Sequence, residues 1–136
     1  MGLAVANLAL AAYMTGVIWV VQVVLYPAFA LVGDSEWLAY HAAHSRRITP
    51  VVAPAMLAHA IVATALLVDR PDALAAVNLA LAGGLLLVTA TVFARLHGRL
   101  TPAAVGRLVR LNALRAVAWT ASAGVAFALV LSSRGR

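Results

Sequence analysis

The chain has 136 residues, of which 65% are hydrophobic and only 10% are charged, a far more apolar composition than that of a soluble domain of this length. It contains no cysteine, which excludes disulfides, thiolate metal sites and thiol redox chemistry. Its formal net charge of +6 comes from arginine without lysine, in a pattern that resembles no nucleic-acid-binding arm. These features predict an integral membrane protein whose arginines meet anionic lipid headgroups.

Four apolar stretches predict transmembrane helices, because about 20 residues suffice to cross a bilayer. We expect an all-α integral membrane four-helix bundle that forms a single transmembrane domain over residues 1–136. The length leaves no room for a separate soluble domain. In chain order, the spans are predicted at about 3–27, 49–68, 73–96 and 108–131.

A polar segment separates the first two spans. It begins with a helix-start signal at 33–36 and continues with Trp37, Tyr40, His41 and His44 at i, i+3, i+4 and i+7 spacing. This pattern predicts a short interfacial helix at about residues 35–45. The second span is then expected to begin near Thr49-Pro50, where proline suits the first turn of a helix.

The distribution of arginines predicts an orientation. The loops between spans one and two and between spans three and four carry Arg46, Arg47, Arg95, Arg99, Arg107 and Arg110, whereas the opposite side carries Arg70, Arg134 and Arg136. The positive-inside rule therefore places both long loops in the cytoplasm and both termini outside. Arginines recruited to a functional site would produce the same bias.

Polar residues share one face of the first and last spans. Thr15, Trp19, Gln22 and Tyr26 form one stripe at helical spacing, and Asn112, Arg115, Trp119 and Ser122 form the other. A buried arginine in a membrane helix costs at least about 2.5 kcal/mol, so Arg115 is expected to face the bundle interior or water. We therefore predict a polar cavity near one membrane face, with substrate-binding candidates Gln22, Tyr26, Tyr40, Arg46, Arg47, Asn112 and Trp119.

Each of these candidates also has a structural explanation. Amides such as those of Gln22 and Asn112 commonly join membrane helices by hydrogen bonds. Arg46 and Arg47 suit lipid-headgroup anchors. Tyr40, Trp37 and Trp119 suit the aromatic belt at the membrane interface.

The histidines and one arginine are the candidate catalytic residues. His41 and His44 can transfer protons near neutral pH, and Arg115 can stabilise an oxyanion. Alternatively, His41, His44 and His97 supply imidazole ligands to a metal ion or heme. Proton transfer needs no cofactor, so both alternatives stay open. His59 lies deeper, near the middle of the second span, where it can join the other histidines only if the cavity extends inward.

Three segments carry a family resemblance, namely Leu25-Tyr26-Pro27, the run from His41 to Pro50, and Asn112-Ala113-Leu114-Arg115 followed by Trp119-Thr120. They resemble a group of small, mostly uncharacterised bacterial four-span membrane proteins that is distantly similar to anthrone-oxygenase-like membrane proteins. The resemblance implies a four-helix bundle in a bacterial inner membrane and oxidation of an apolar aromatic or polyketide-like substrate. Ala113 and His59 depart from it, since an aromatic and an acidic residue are expected there.

Two hypotheses about function follow. In the first, the chain is a membrane-embedded enzyme, an oxidoreductase of oxygenase type, that acts on an apolar small molecule at a polar cavity. In the second, it is a non-catalytic membrane subunit or anchor that binds a partner, a lipid headgroup, heme or a quinone. A homo-oligomer and a larger membrane complex are both compatible with the sequence.

Overall fold

A computed structural model describes residues 1–133. These residues form four helices and contain no β-strand. Helix α1 comprises Gly2–Leu31, α2 Trp37–Asp69, α3 Ala73–Gly98 and α4 Pro102–Ser132. Each helix is long and apolar enough to cross a membrane. The predicted all-α four-span bundle is thereby confirmed. Arg134 and Arg136, which contributed to the predicted orientation, lie outside the described residues.

The helices pack in a closed ring. α1 contacts α2 and α4, and α3 also contacts α2 and α4, so that helices adjacent in the chain are neighbours in space. Short connections favour this antiparallel arrangement. The outer surface is apolar, since large side chains such as Ile61, Leu87 and Leu114 are exposed. Such a surface is suited to lipid rather than to water.

Local sequence explains where α3 and α4 begin. The side chain of Asp72 accepts a hydrogen bond from the backbone N–H of Ala75, 2.9 Å away, and thereby caps α3. Thr101 occupies the capping position of α4 in extended conformation, and Pro102 stands in the first turn, where proline is favoured. The Thr101 side chain itself makes no capping hydrogen bond.

The predicted separate interfacial helix at 35–45 is not present. Residues 37–69 form one continuous α-helix, in which Pro50 and Pro54 are interior positions rather than the beginning of a second helix. The Thr49 hydroxyl donates to the carbonyl of Ser45 at 2.8 Å, which supports the turn before Pro50. At 1.5 Å per residue, the helix exceeds the roughly 30 Å hydrocarbon thickness, so its first turns extend toward the membrane surface.

Two short π-helical segments interrupt the α-helices. One covers Val21–Leu25 in α1 and the other covers Thr89–Phe93 in α3. A π-helical turn inserts a residue and rotates the side chains that follow, and such turns occur frequently at functional sites. Both segments lie at the end of the bundle where the loops before α2 and before α4 meet, beside a cluster of buried aromatic residues that includes Phe29 and Trp37.

Candidate functional site

Arg115 is the buried cation of this end of the bundle. Its side chain is 8% exposed, although it lies on an apolar membrane helix. Its Nε donates to Asn112 Oδ1 at 2.9 Å, and one terminal nitrogen lies 3.5 Å from the Thr89 hydroxyl. The guanidinium carbon lies 3.9 Å from the centre of the Phe93 ring, a cation–π contact. Among residues 1–133, no carboxylate forms an ion pair with it.

Asn112 links Arg115 to α1. Its side-chain amide donates to Gln22 Oε1 at 2.9 Å, while its oxygen accepts from Arg115. Gln22 belongs to the π-helical segment of α1, and Thr89 and Phe93 belong to that of α3. The α3 segment thus contacts the guanidinium directly, and the α1 segment contacts its partner Asn112, so residues of three helices position Arg115.

Beside Arg115, three side chains form a hydrogen-bonded chain from the bundle interior toward the surface. The Tyr26 hydroxyl lies 2.8 Å from His97 Nε2, and His97 Nδ1 lies 3.1 Å from His41 Nε2. Tyr26 is only 3% exposed, whereas both histidines are half-buried. The His41 ring stacks between Trp37 and His97, with ring centres 5.5 Å and 5.4 Å away. His97 is thus the centre of the chain.

A cavity of about 620 Å³ opens beside these groups. Most of its lining comes from α2 and α3 and is apolar, including Val52, Met56 and Leu86. Leu57 lines it and is 52% exposed on the lipid-facing surface, so the cavity reaches that surface between the two helices. Its polar lining is concentrated in one region and comprises Tyr26, His41, Ser45, Thr49, Thr89, His97 and Arg115.

The structure places the predicted site residues in three groups. In the first group, Tyr26, His41 and Arg115 line the cavity. Asn112 accepts a hydrogen bond from Arg115, and Gln22 accepts one from Asn112. The second group, Tyr40, His44 and Arg47, lines a separate pocket of about 250 Å³. The third group, Arg46 and Trp119, lines neither the cavity nor the smaller pocket. Arg46 is exposed, whereas Trp119 is buried in the core.

His44 packs against aromatic rings rather than into the hydrogen-bonded chain. Its ring centre lies 4.8 Å from that of Phe29 and 6.1 Å from that of His97. Its Nε2 is buried and has no hydrogen-bond partner among residues 1–133. His44 is therefore near the candidate catalytic groups without lining their cavity.

The sequence did not single out Thr89 and Phe93, and it named His97 chiefly as a candidate metal ligand. These residues follow one another at i, i+4 and i+8 on α3, a spacing that places them on one face of a helix. That stripe was a usable signal. It is harder to recognise than the stripes on α1 and α4 because it includes one threonine and one aromatic residue among many apolar neighbours.

The histidines do not form a metal-binding arrangement in the described part of the chain. No group of three or more histidine, aspartate or glutamate side chains there has suitable geometry. Both ring nitrogens of His97 are already engaged, one with Tyr26 and the other with His41. These contacts leave His97 with no free ring nitrogen and link it to two groups that can exchange protons.

The geometry thus combines an apolar cavity that reaches the lipid-facing surface, a buried cation and a chain of groups able to exchange protons. Such a combination can bind an apolar molecule with one acidic oxygen and can transfer a proton to or from it. Comparison with known proteins adds nothing to this geometry, because no family model, curated protein or solved structure matches the chain.

Proposed function

We propose that the protein is a membrane-embedded enzyme, an oxidoreductase of oxygenase type, that binds an apolar aromatic substrate in the cavity between α2 and α3. One observation carries this proposal. Arg115, which has no carboxylate partner among residues 1–133, and His97 both line the same largely apolar cavity. A charged side chain in a membrane helix costs free energy, and residues of this kind typically belong to a functional site.

Arg115 would bind the developing negative charge of the substrate. Its Nε donates to Asn112 and its Cζ lies over the Phe93 ring, so the guanidinium is held in place before the substrate binds. A fixed donor in a water-poor cavity stabilises an oxyanion strongly, because little reorganisation is needed. An enolate or phenolate oxygen of a multi-ring aromatic ketone fits this requirement.

The chain of Tyr26, His97 and His41 would accept the substrate's proton. His97 lies at hydrogen-bond distance from both neighbours, so a proton received at one nitrogen can be passed on from the other. Proton loss from a methylene group beside the aromatic ketone gives a carbanion that dioxygen can oxidise. In the overall reaction, the CH₂ group and O₂ become a carbonyl group and water, and the protein supplies binding and proton transfer.

The cavity end of the bundle would face the cytoplasm. Arg46, Arg47, Arg95, Arg99, Arg107 and Arg110 are exposed at this end of the helices. Arg70, at the opposite end, is buried and paired with Asp72. The positive-inside rule favours the cytoplasmic side for the exposed cluster.

An oxygen-uptake assay tests the proposed reaction. The protein, reconstituted in lipid nanodiscs, is incubated with anthrone, a tricyclic aromatic ketone with an acidic methylene, while dissolved oxygen and the quinone product are measured. Arg115→Gln should lower turnover about 10²-fold or more, as loss of an oxyanion donor does elsewhere. Arg107→Gln, an exposed arginine on the same helix, is the matched control and should leave turnover unchanged.

Two results would contradict the proposal. Equal turnover of the wild-type protein and Arg115→Gln would remove Arg115 from the reaction. Saturable binding of the ketone without oxygen uptake would favour the non-catalytic binding protein. Helical content, measured by circular dichroism, shows whether each variant is folded.

A further inference from the structure

A second group of polar side chains lies deeper in the bundle, away from the cavity. His59 of α2 and Ser122 of α4 are 0% exposed, and Trp119 of α4 is 1% exposed. Both ring nitrogens of His59, the Trp119 Nε1 and the Ser122 hydroxyl have no hydrogen-bond partner among residues 1–133. Buried polar atoms almost always have a partner, so this concentration in one place requires an explanation.

Other indole and hydroxyl groups in this bundle do have partners. Trp19 donates to the Thr120 hydroxyl at 3.0 Å, and Trp37 donates to the Leu100 carbonyl at 3.3 Å. Thr64 and Thr120 each donate to the carbonyl four residues earlier. Apart from His44 Nε2 near the cavity, the unpartnered buried side-chain atoms among residues 1–133 all belong to the group around His59.

The three side chains are close enough to share one small ligand. The ring centres of His59 and Trp119 lie 5.5 Å apart with the planes tilted by 35°. Ser122 follows Trp119 by three residues and thus lies on the same face of α4. One water oxygen can bridge two polar atoms that lie up to about 5.5–6 Å apart, so polar groups on neighbouring side chains such as these can share one water.

Their hydrogen-bonding capacity is complementary to that of water. The Trp119 indole is only a donor, a neutral imidazole has one donor and one acceptor, and a hydroxyl has both. A water molecule can accept from Trp119 and donate to the free nitrogen of His59 while it also bonds to Ser122. We propose that His59, Trp119 and Ser122 form an internal water-binding site between α2 and α4.

This water site is separate from the proposed catalytic cavity. Ile18 and Met56 line the cavity and also pack in the same core cluster as Trp119. His59 follows Met56 by three residues, and Trp119 follows Arg115 by four, so the water site lies about one helical turn deeper. Apolar side chains separate the two, and the water site does not depend on the proposed function.

Magnetisation transfer from water to the indole proton tests the site. The protein contains three tryptophans, so ¹⁵N-tryptophan labelling in nanodiscs gives three indole signals that Trp19→Phe and Trp37→Phe assign. We expect a cross-peak between water and the Trp119 indole proton, and its loss in His59→Leu or Ser122→Ala. The Trp37 indole, which is bonded to a backbone carbonyl, is the internal control and should show no such cross-peak.

The absence of a water cross-peak at Trp119 in the folded wild-type protein would overturn the proposal. A cross-peak that persists unchanged in Ser122→Ala and in His59→Leu would also overturn it. If His59→Leu fails to fold, the wild-type spectrum and Ser122→Ala decide the question. Thr120→Ala, a change at an exposed neighbour on α4, should leave the Trp119 signal unaltered.

Discussion

Both ends of the bundle contain paired amide side chains and a buried arginine, but within residues 1–133 only one of the two arginines has a carboxylate partner. At the end near the chain termini, Asn7 and Asn78 exchange two hydrogen bonds at 3.0 Å and 3.2 Å. There Arg70 forms an ion pair with Asp72 at 2.8 Å and donates to the Ser133 hydroxyl at 2.9 Å. At the other end, Arg115 has neutral partners only within residues 1–133, and it lines a cavity.

This difference distinguishes polar groups that pair with each other from a candidate functional group. Asn7 and Asn78 satisfy each other's amides, and Arg70 is neutralised by Asp72. Arg115 keeps its positive charge uncompensated beside an apolar volume of about 620 Å³. Ionisable side chains buried in membrane helices are functional-site candidates, and within residues 1–133 no carboxylate neutralises Arg115. The comparison can be tested at both ends and on the outer surface.

The largest effect is expected from His97→Gln at the cavity end. This change removes the side chain that links Tyr26 to His41 through hydrogen bonds. Turnover in the oxygen-uptake assay should therefore fall about 10²–10⁴-fold, as loss of a general base does elsewhere. His44→Gln is the matched control, because His44 does not line the cavity. If His44→Gln were as harmful as His97→Gln, the smaller pocket would have to belong to the site.

An intermediate effect, on stability rather than turnover, is expected from Asn7→Ala at the opposite end. It leaves Asn78 unpaired in the core, which should lower the free energy of unfolding in nanodiscs by about 1–2 kcal/mol. The double change to leucine at both positions should cost less than Asn7→Ala, since neither amide is then left unpaired. Steric trapping measures these free energies, with Thr64→Ala at an exposed position as control. A loss of turnover in a stable Asn7 variant would mean that this end is not purely structural.

The smallest effect is expected from the combined change of Arg46→Gln and Arg47→Gln. Both side chains are exposed and neither lines the large cavity. Screening weakens exposed charges over about 10 Å, so kcat/KM for the ketone should change by less than about threefold. A much larger decrease in kcat/KM would indicate that Arg46 and Arg47 bind the substrate, as the sequence predicted.

Helical periodicity predicted much of the site. Asn112, Arg115, Trp119 and Ser122 are all buried on one face of α4, as their spacing indicated. Periodicity was less successful for α1, where Trp19 is 43% exposed although Gln22 and Tyr26 point inward. The π-helical segment that begins at Val21 changes the rotation of the helix between these residues, and the amino-acid pattern did not predict it.

The sequence by itself determined the membrane class, the four helices and the face of α4 that is buried. These properties depend on composition and on contacts within one helix turn, which a linear pattern records directly. Only the tertiary structure decided that Arg115 and His97 share a cavity whereas Trp119, one turn from Arg115, lies in the core. The shared cavity depends on the separation between α2 and α3 and on the two π-helical segments. The spacing of residues along a single helix predicts neither of these features.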